Sequence, residues 1–340
     1  MVELATLCPH PMPVRAIRRE TPDVWTLELS PPPDYRYLPG QYALVGIDGG
    51  RALRAYTLSS SPALNDFLSI TVRRLSGGLG SGWLTGEVQV GDTLQLSAAQ
   101  GNFTPEHAPG SDYLFLAGGC GVTPVMAITR WLLAHRPDAS LVVLYHAQTP
   151  ADLIFAAEWT RLEQRYPKRL RLHRLVDRTP DATCRQAPLS RELLAELVPD
   201  IADRTVMCCG PAGYMALAAE LAASLGVPAE RFHHEAFQAA EVAALDTAAD
   251  DGVRHRVLLQ PWGDEAEVAH GGNLLAAMEA QQIPVTAACR SGQCGSCKVK
   301  VLEGDFELGE QSALSEAELA DGYALACCCS VHGDLVIEGA

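Results

Sequence analysis

The chain has 340 residues, enough for two or three domains, and its 48% hydrophobic and 20% charged residues are an ordinary globular balance. A formal net charge of −15 sets it against nucleic-acid phosphates, and no basic stripe offsets that repulsion. No apolar run approaches the ~18 residues of a membrane span, and Met1 to Arg19 carries no apolar core of a secretion signal, so a soluble cytoplasmic protein is expected.

The first segment, to about His107, holds short alternating runs punctuated by Gly and Pro. Val24–Leu29 and Leu68–Val72 read as strands, and many short strands between turns predict a barrel or sandwich. Within it, Arg54-Ala55-Tyr56-Thr57-Leu58-Ser59-Ser60 reads on its own as a polar strand end. Gly78-Leu79-Gly80-Ser81 precedes Trp83-Leu84, where a helix start is expected. A Gly-rich turn feeding a helix N-terminus is suited to an anion, although a plain turn has the same composition.

From about 110 to 238 the pattern changes. Tyr113–Ala117, Leu141–Tyr145 and Thr205–Cys209 are compact apolar strands separated by helical stretches, which predicts a parallel α/β sheet covered on both faces. Gly118-Gly119-Cys120-Gly121-Val122-Thr123-Pro124 follows the first of these strands directly. It lacks the G-x-G-x-x-G spacing, but strand, Gly loop and helix in that order make a phosphate cradle. Cys209-Gly210-Pro211 closes the third strand, and Cys209 alone reads equally as a small buried hydrophobe. Glu235-Ala236-Phe237 ends the segment, with Glu235 alternatively a solvated carboxylate.

Residues 241–253 are small and acidic and read as a linker. Alternation returns from Arg254, and an amphipathic helix is expected over Asn273–Gln282. Six of the eleven cysteines then fall between Cys289 and Cys329. Cys289, Cys294 and Cys297 form C-x4-C-x2-C, with Cys327 after 29 further residues. Four thiolates at that spacing are the plant-type [2Fe–2S] ligand pattern. Gly292 and Gly295 let the backbone turn tightly and aim N–H groups at sulfur, which favours the reduced charge. A zinc ribbon would want a second C-x2-C in place of the triplet Cys327-Cys328-Cys329. A dithiol of Cys294 and Cys297 would leave Cys289 and Cys327 idle.

AACRSGQCGSCKVKVLEG and GYALAC resemble the plant-type ferredoxin domain, and that register assigns Cys327 as the fourth ligand, with Cys328 and Cys329 surplus. RAYTLSS, GGCGVTP, Cys209-Gly210-Pro211 with Met215, and EAF resemble the motifs of the ferredoxin–NADP reductase family. The resemblance implies a multi-domain chain. An antiparallel β-barrel FAD domain would span 1–108 and an α/β parallel-sheet NAD domain 109–240. The linker 241–253 would lead to an α+β, β-grasp ferredoxin domain at 254–340. It implies that Tyr56 covers the flavin ring, that Thr57 or Ser60 serves N5 and the ribityl chain, and that Arg54 meets phosphate. Gly78, Gly80 and Ser81 would take the pyrophosphate. Gly118, Gly119, Gly121, Thr123, Pro124, Gly210 and Pro211 would underlie the nicotinamide nucleotide, with Cys209 beside its C4 and Glu235 and Phe237 near the flavin. After the second α/β strand, Tyr145 to Asp152 carries no Arg or Lys, and Asp152 would repel a 2′-phosphate, so NADH is expected over NADPH. Arg178 and Arg185 are the cations able to reverse that choice.

The expected chemistry is NADH oxidoreduction through FAD and a [2Fe–2S] cluster to a partner redox protein. A nicotinamide gives two electrons as hydride and the cluster carries one, so a flavin must stand between them. The segments are most similar to the group of these reductases that serves hybrid cluster protein. A reductase component of an aromatic or phenylacetyl-CoA oxygenase is the alternative, and a redox sensor is a third class.

Overall fold

The structure is a computed structural model. It describes residues 7–236 apart from 51, and 252–339 apart from 262, 282, 284, 286, 288, 289, 291, 293, 310 and 312. Two predicted site residues, Phe237 and Cys289, and residues 241–251 of the expected linker lie outside the described residues. The described chain divides into two compact units. One comprises residues 7–49 and 55–236, and the other is centred on residues 252–339, with 50 and 52–54.

The described chain begins with six antiparallel strands, β1 (His10–Thr21), β2 (Val24–Leu29), β3 (Tyr42–Ile47), β4 (Ala52–Thr57), β5 (Leu68–Arg73) and β6 (Thr93–Leu96), in the order β4-β3-β6-β1-β2-β5. The long β1 serves two neighbours. His10–Pro13 pair with β6, Val14–Thr21 pair with β2, and register shifts at Val14/Ala16 and Arg19/Thr21 bend the strand. A bridge between Leu58 and Ile70 joins the two ends of the strand order, so the sheet closes as a barrel. Helix α1 (Leu79–Gly86) follows β5. It begins four residues before Trp83, where the sequence suggested a start, because Gly78 takes the extended conformation of an N-cap.

The first unit continues as a parallel sheet of β7 (Asp112–Gly118), β8 (Ser140–Ala147), β9 (Leu170–Val176), β10 (Arg185–Gln186), β11 (Thr205–Gly210) and β12 (Phe232–Ala236), ordered β10-β9-β8-β7-β11-β12. Helices α2 (Val122–His135), α3 (Ala156–Arg165), α4 (Arg191–Leu197) and α5 (Ala212–Ser224) connect its strands. The apolar runs are explained by two cores. Phe115, Val143, Met207 and Cys209 enter one, and the alternate residues Leu114, Leu116, Val142, Val206 and Cys208 enter the other. Thus Cys208 and Cys209 lie on opposite faces. Barrel and sheet are tied through α2: Ser61 Oγ donates to the Ala127 carbonyl at 2.7 Å, and Arg130 Nη1 donates to the Ser59 carbonyl at 3.2 Å.

The second unit holds β13 (Arg254–Gln260), β14 (Asp264–Ala269), β15 (Gly272–Asn273), α6 (Leu274–Ala280), β16 (Lys298–Glu303), β17 (Phe306–Leu308), α7 (Glu316–Ala320), β18 (Tyr323–Leu325), β19 (Cys329–Val331) and β20 (Leu335–Gly339). A five-stranded sheet, β14-β13-β20-β16-β18, is parallel only at β13–β20, and β15-β19-β17 form a small second sheet. Leu274, Leu275 and Met278 of α6 pack with Val257, Leu259 and Ile337 into one core. This is the expected α+β unit, and Asn273 caps its helix by accepting from Ala276 N. Among the described residues, no helix is long and apolar enough to cross a membrane.

Candidate functional site

The strongest chemistry in the first unit sits at the C-terminal ends of β7, β11 and β12. Ala117 faces Cys209 across the parallel pairing of β7 and β11, and Cys209 faces Glu235 across β11 and β12. The Gly118–Pro124 loop closes over this point. A Cβ on Gly121 would lie well under 3.0 Å from the Cys209 carbonyl, so only glycine admits this approach. A Cβ on Gly210 would stand 3.1 Å from Gly118, and the ring of Tyr214 packs over both. Thr123 Oγ1 donates to the Cys120 carbonyl at 2.9 Å and holds the turn, and Pro124 enters α2 where no N–H is required. Pro211 is the N-cap of α5.

Cys209 has no solvent exposure, and burial, then the nearby Glu235, push its thiol well up. It is neutral at physiological pH. Glu235 is 3% exposed, and the solvated alternative is excluded. Burial pushes its carboxyl up to about 8. Its Oε1 lies 3.3 Å from where a Gly101 Cβ would stand, against the barrel, and among the described residues its buried Oε2 has no hydrogen-bond partner. A carboxyl that holds its proton near neutrality, with an unmatched oxygen, is suited to a polar group brought in by a ligand.

Sequence reasoning missed one neighbour of this site, Arg73, and weighed a second, His146, only as a weak cation at low pH. Arg73, at the end of β5, pairs with Asp23 at 3.2 Å, and its Nη1 lies 3.6 Å from where a Gly119 Cβ would stand. His146, at the end of β8, shares a 2.9 Å hydrogen bond between Nδ1 and Tyr214 OH. Burial lowers it to about 4, so it stays neutral and supplies no cation for a phosphate. The position of Arg73, directly before a Gly-rich turn, was its only signal in the sequence.

Asp152 has a local structural duty. Its Oδ2 accepts from Thr149 N at 3.0 Å and from Thr149 Oγ1 at 2.7 Å, which caps the turn at Pro150–Asp152. Arg185 is committed to Glu196 by two contacts of 2.6 and 2.9 Å. Arg178 donates from Nη2 to Gln148 Oε1 at 3.2 Å, which places it beside the turn that follows β8.

On the barrel side, Thr57 and Ser60 are buried and Tyr56 is half-buried. Ser60 Oγ bonds Tyr37 OH at 2.8 Å and accepts from Ser69 N at 2.9 Å, so it braces the strands. Arg54, on β4, donates from Nη1 to the Leu53 carbonyl at 2.8 Å. Gly78 precedes α1 with no side-chain cap, Gly80 and Ser81 lie in its first turn, and Ser81 Oγ accepts from Leu75 N at 3.1 Å. The first N–H groups of α1 therefore have no side-chain acceptor from the cap, as an anion cradle requires.

In the second unit, Arg290, Gly292 and Gly295 adopt left-handed conformations (φ 57°, 73° and 70°), and these curl the loop that carries Cys294 and Cys297. The Arg290 cost is met by a two-point ion pair to Glu279 on α6, with Nη1 to Oε2 at 2.8 Å. The sulfurs of Cys297 and Cys327 are in hydrogen-bonding contact, and the Gly292 N–H donates to the Cys327 sulfur. Among the described residues, no three ligating side chains converge on one point, the described part of the set being Cys294, Cys297 and Cys327. Soft thiol donors with a backbone N–H aimed at sulfur fit an iron–sulfur cluster.

These features define a modular oxidoreductase, and the comparisons agree. The oxidoreductase FAD-binding domain family matches residues 12–104, the oxidoreductase NAD-binding domain family 115–220 and the 2Fe-2S iron-sulfur cluster binding domain family 258–332. The chain belongs to the family of NADH oxidoreductases that combine FAD-, NAD- and [2Fe–2S]-binding domains for electron transfer. It is 44% identical to NADH oxidoreductase HCR of Escherichia coli (strain K12), over 97% of this chain and 98% of that protein. It is 33% identical to the glycine betaine monooxygenase reductase subunit of Chromohalobacter salexigens, over 89% of this chain and 87% of that one. Its fold is that of phthalate dioxygenase reductase (TM-score 0.67, 23% identity, 96% of this chain and 97% of that chain).

Proposed function

We propose that this protein takes electrons from NADH in the cytoplasm and delivers them to hybrid cluster protein. The single observation that carries the choice of acceptor is the 44% identity, over nearly the whole of both chains, to NADH oxidoreductase HCR. The 33% likeness to an oxygenase reductase subunit supports the second reading, a monooxygenase or dioxygenase as acceptor.

The domain limits we assign are 1–108, 109–240, a linker 241–253 and 254–340. Arg54, Tyr56, Thr57, Ser60, Gly78, Gly80, Ser81 and Phe237 would hold FAD. Gly118, Gly119, Gly121, Thr123, Pro124, Gly210 and Pro211 would hold the nucleotide. Asp152 would act there through its turn and its charge. Cys289, Cys294, Cys297 and Cys327 would hold the cluster. When bound, FAD accepts a hydride from the nicotinamide and yields electrons singly to the [2Fe–2S] cluster.

The residues of this chain supply the setting. The bare backbone at Gly118, Gly121 and Gly210 lets the loop after β7 and the end of β11 pack closely together, and this surface would carry the nucleotide. The neutral Cys209 thiol lies beside that surface without adding charge. Glu235 holds a proton on its carboxyl, and its unmatched Oε2 offers a polar contact inside a site closed to water. Tyr214 and His146 hold the two loops in register. The test is NADH-driven reduction of purified hybrid cluster protein against purified oxygenase components. Faster turnover with an oxygenase component would favour the second reading.

A further inference from the structure

We propose that Cys328 is a second ligand-competent thiol for the [2Fe–2S] cluster, able to replace Cys327 at the same iron. The inference rests on the cluster reading above, in which Cys327 is the fourth ligand. The triplet Cys327-Cys328-Cys329 crosses a single 3₁₀ turn (Ala326–Cys328) into β19. Its three sulfurs have different fates. Cys329 is fully buried in the core of the unit, on a strand paired to β17 through Leu308, and its sulfur is committed to packing. Cys327 and Cys328 are only partly buried, and their sulfurs are 3.6 Å apart. That separation is comparable with the swing of a cysteine sulfur between staggered χ1 wells.

The backbone of the turn is held on all sides. Ala326 N donates to the Cys297 carbonyl at 3.0 Å, Asn273 Nδ2 to the Cys327 carbonyl at 3.0 Å, and Gly309 N to the Cys328 carbonyl at 2.8 Å. Ligand replacement would proceed chiefly by side-chain rotation, with these backbone hydrogen bonds kept. In the exchange, the iron–sulfur bond to Cys327 breaks and one to Cys328 forms. The Cys328 thiol gives up its proton, the departing Cys327 thiolate gains one, and neither iron changes oxidation state. Among the described residues, the sulfur of Cys328 lies 3.6 Å from that of Cys327 while Cys329 is buried in the core, which separates the two although the sequence presents them alike.

The test uses full-length Cys327→Ala and the double variant Cys327→Ala/Cys328→Ala, each reconstituted with iron and sulfide. Readouts are iron per flavin, visible absorbance, the EPR spectrum after reduction, and iodoacetamide mapping of each cysteine. The single variant should keep its cluster with shifted g values and protect Cys328 from alkylation, and the double variant should lose the cluster. A soluble, flavin-loaded single variant without iron would overturn the proposal. If Cys327→Ala is insoluble, Cys327→Ser decides: a cluster with Cys328 protected supports it, while a cluster with Cys328 alkylated, or no cluster, overturns it. Wild-type protein without a cluster, or Cys294→Ala with an intact one, would instead break the cluster reading itself.

Discussion

At the ends of β11 and β12, Cys209 and Glu235 are shut away from water, whereas the cysteine loop of the second unit is half-exposed and polar and is shaped by left-handed backbone. The first site draws its chemistry from exclusion. Burial keeps a thiol and a carboxyl neutral where water would leave the carboxyl ionised. The second draws it from curvature, since left-handed Arg290, Gly292 and Gly295 curl the chain that carries Cys294 and Cys297. Removing Cys294 or Cys297 should abolish the second site outright, while the first should respond in graded fashion to volume and to pH.

The sharpest form of that contrast is ligand removal. Cys294→Ser or Cys297→Ser should lose the cluster, read as iron content and visible absorbance. NADH-driven reduction of one-electron protein acceptors should fall with it, while reduction of ferricyanide through the flavin persists. Undiminished cytochrome c reduction without the cluster would break the division between the two sites.

Glu235 tests the buried site. A carboxyl raised from its ordinary value to about 8 binds a proton in the folded state that the unfolded chain has released. Its contribution to stability is therefore fully present below about pH 4.5 and is lost as pH rises toward 8, with a limiting slope of ~1.4 kcal/mol per pH unit. Glu235→Gln should flatten the fall in Tm of the flavin- and nucleotide-binding unit across that window. Parallel Tm–pH curves for wild type and variant would mean that the carboxyl is ionised in the fold.

Volume comes next. Gly121→Ala forces a methyl against the Cys209 carbonyl and should cost about 1–3 kcal/mol, together with a raised KM for NADH. An unchanged KM would show that the loop does not carry the nucleotide.

Much of this division was legible in sequence, for unequal reasons. The cysteine spacing was readable because a ligand set is local and demands particular atoms. The parallel sheet was readable because a strand buried on both faces must be apolar throughout. Burial of Glu235 was not readable, since the Gly101 segment that covers it belongs to the barrel. The charge of Asp152 was legible, whereas the capping bonds it makes to Thr149 were not. The pairing of Arg185 with Glu196 likewise appears only after β10 and α4 are folded beside each other.

The smallest expected effect follows from that last point. NADH should exceed NADPH in kcat/KM by about tenfold, ~1.4 kcal/mol, with Arg178 the residual attraction for a 2′-phosphate. Arg178→Ala should widen the preference a few-fold, and a narrowed preference would move phosphate recognition elsewhere.

The most direct test of the whole account is an anaerobic titration of the full-length holoprotein with NADH, followed by flavin absorbance and low-temperature EPR. Bleaching of the flavin accompanied by the signal of a reduced [2Fe–2S] cluster is the predicted result. A bleached flavin beside a cluster that stays oxidised would contradict electron transfer from NADH through FAD to the cluster.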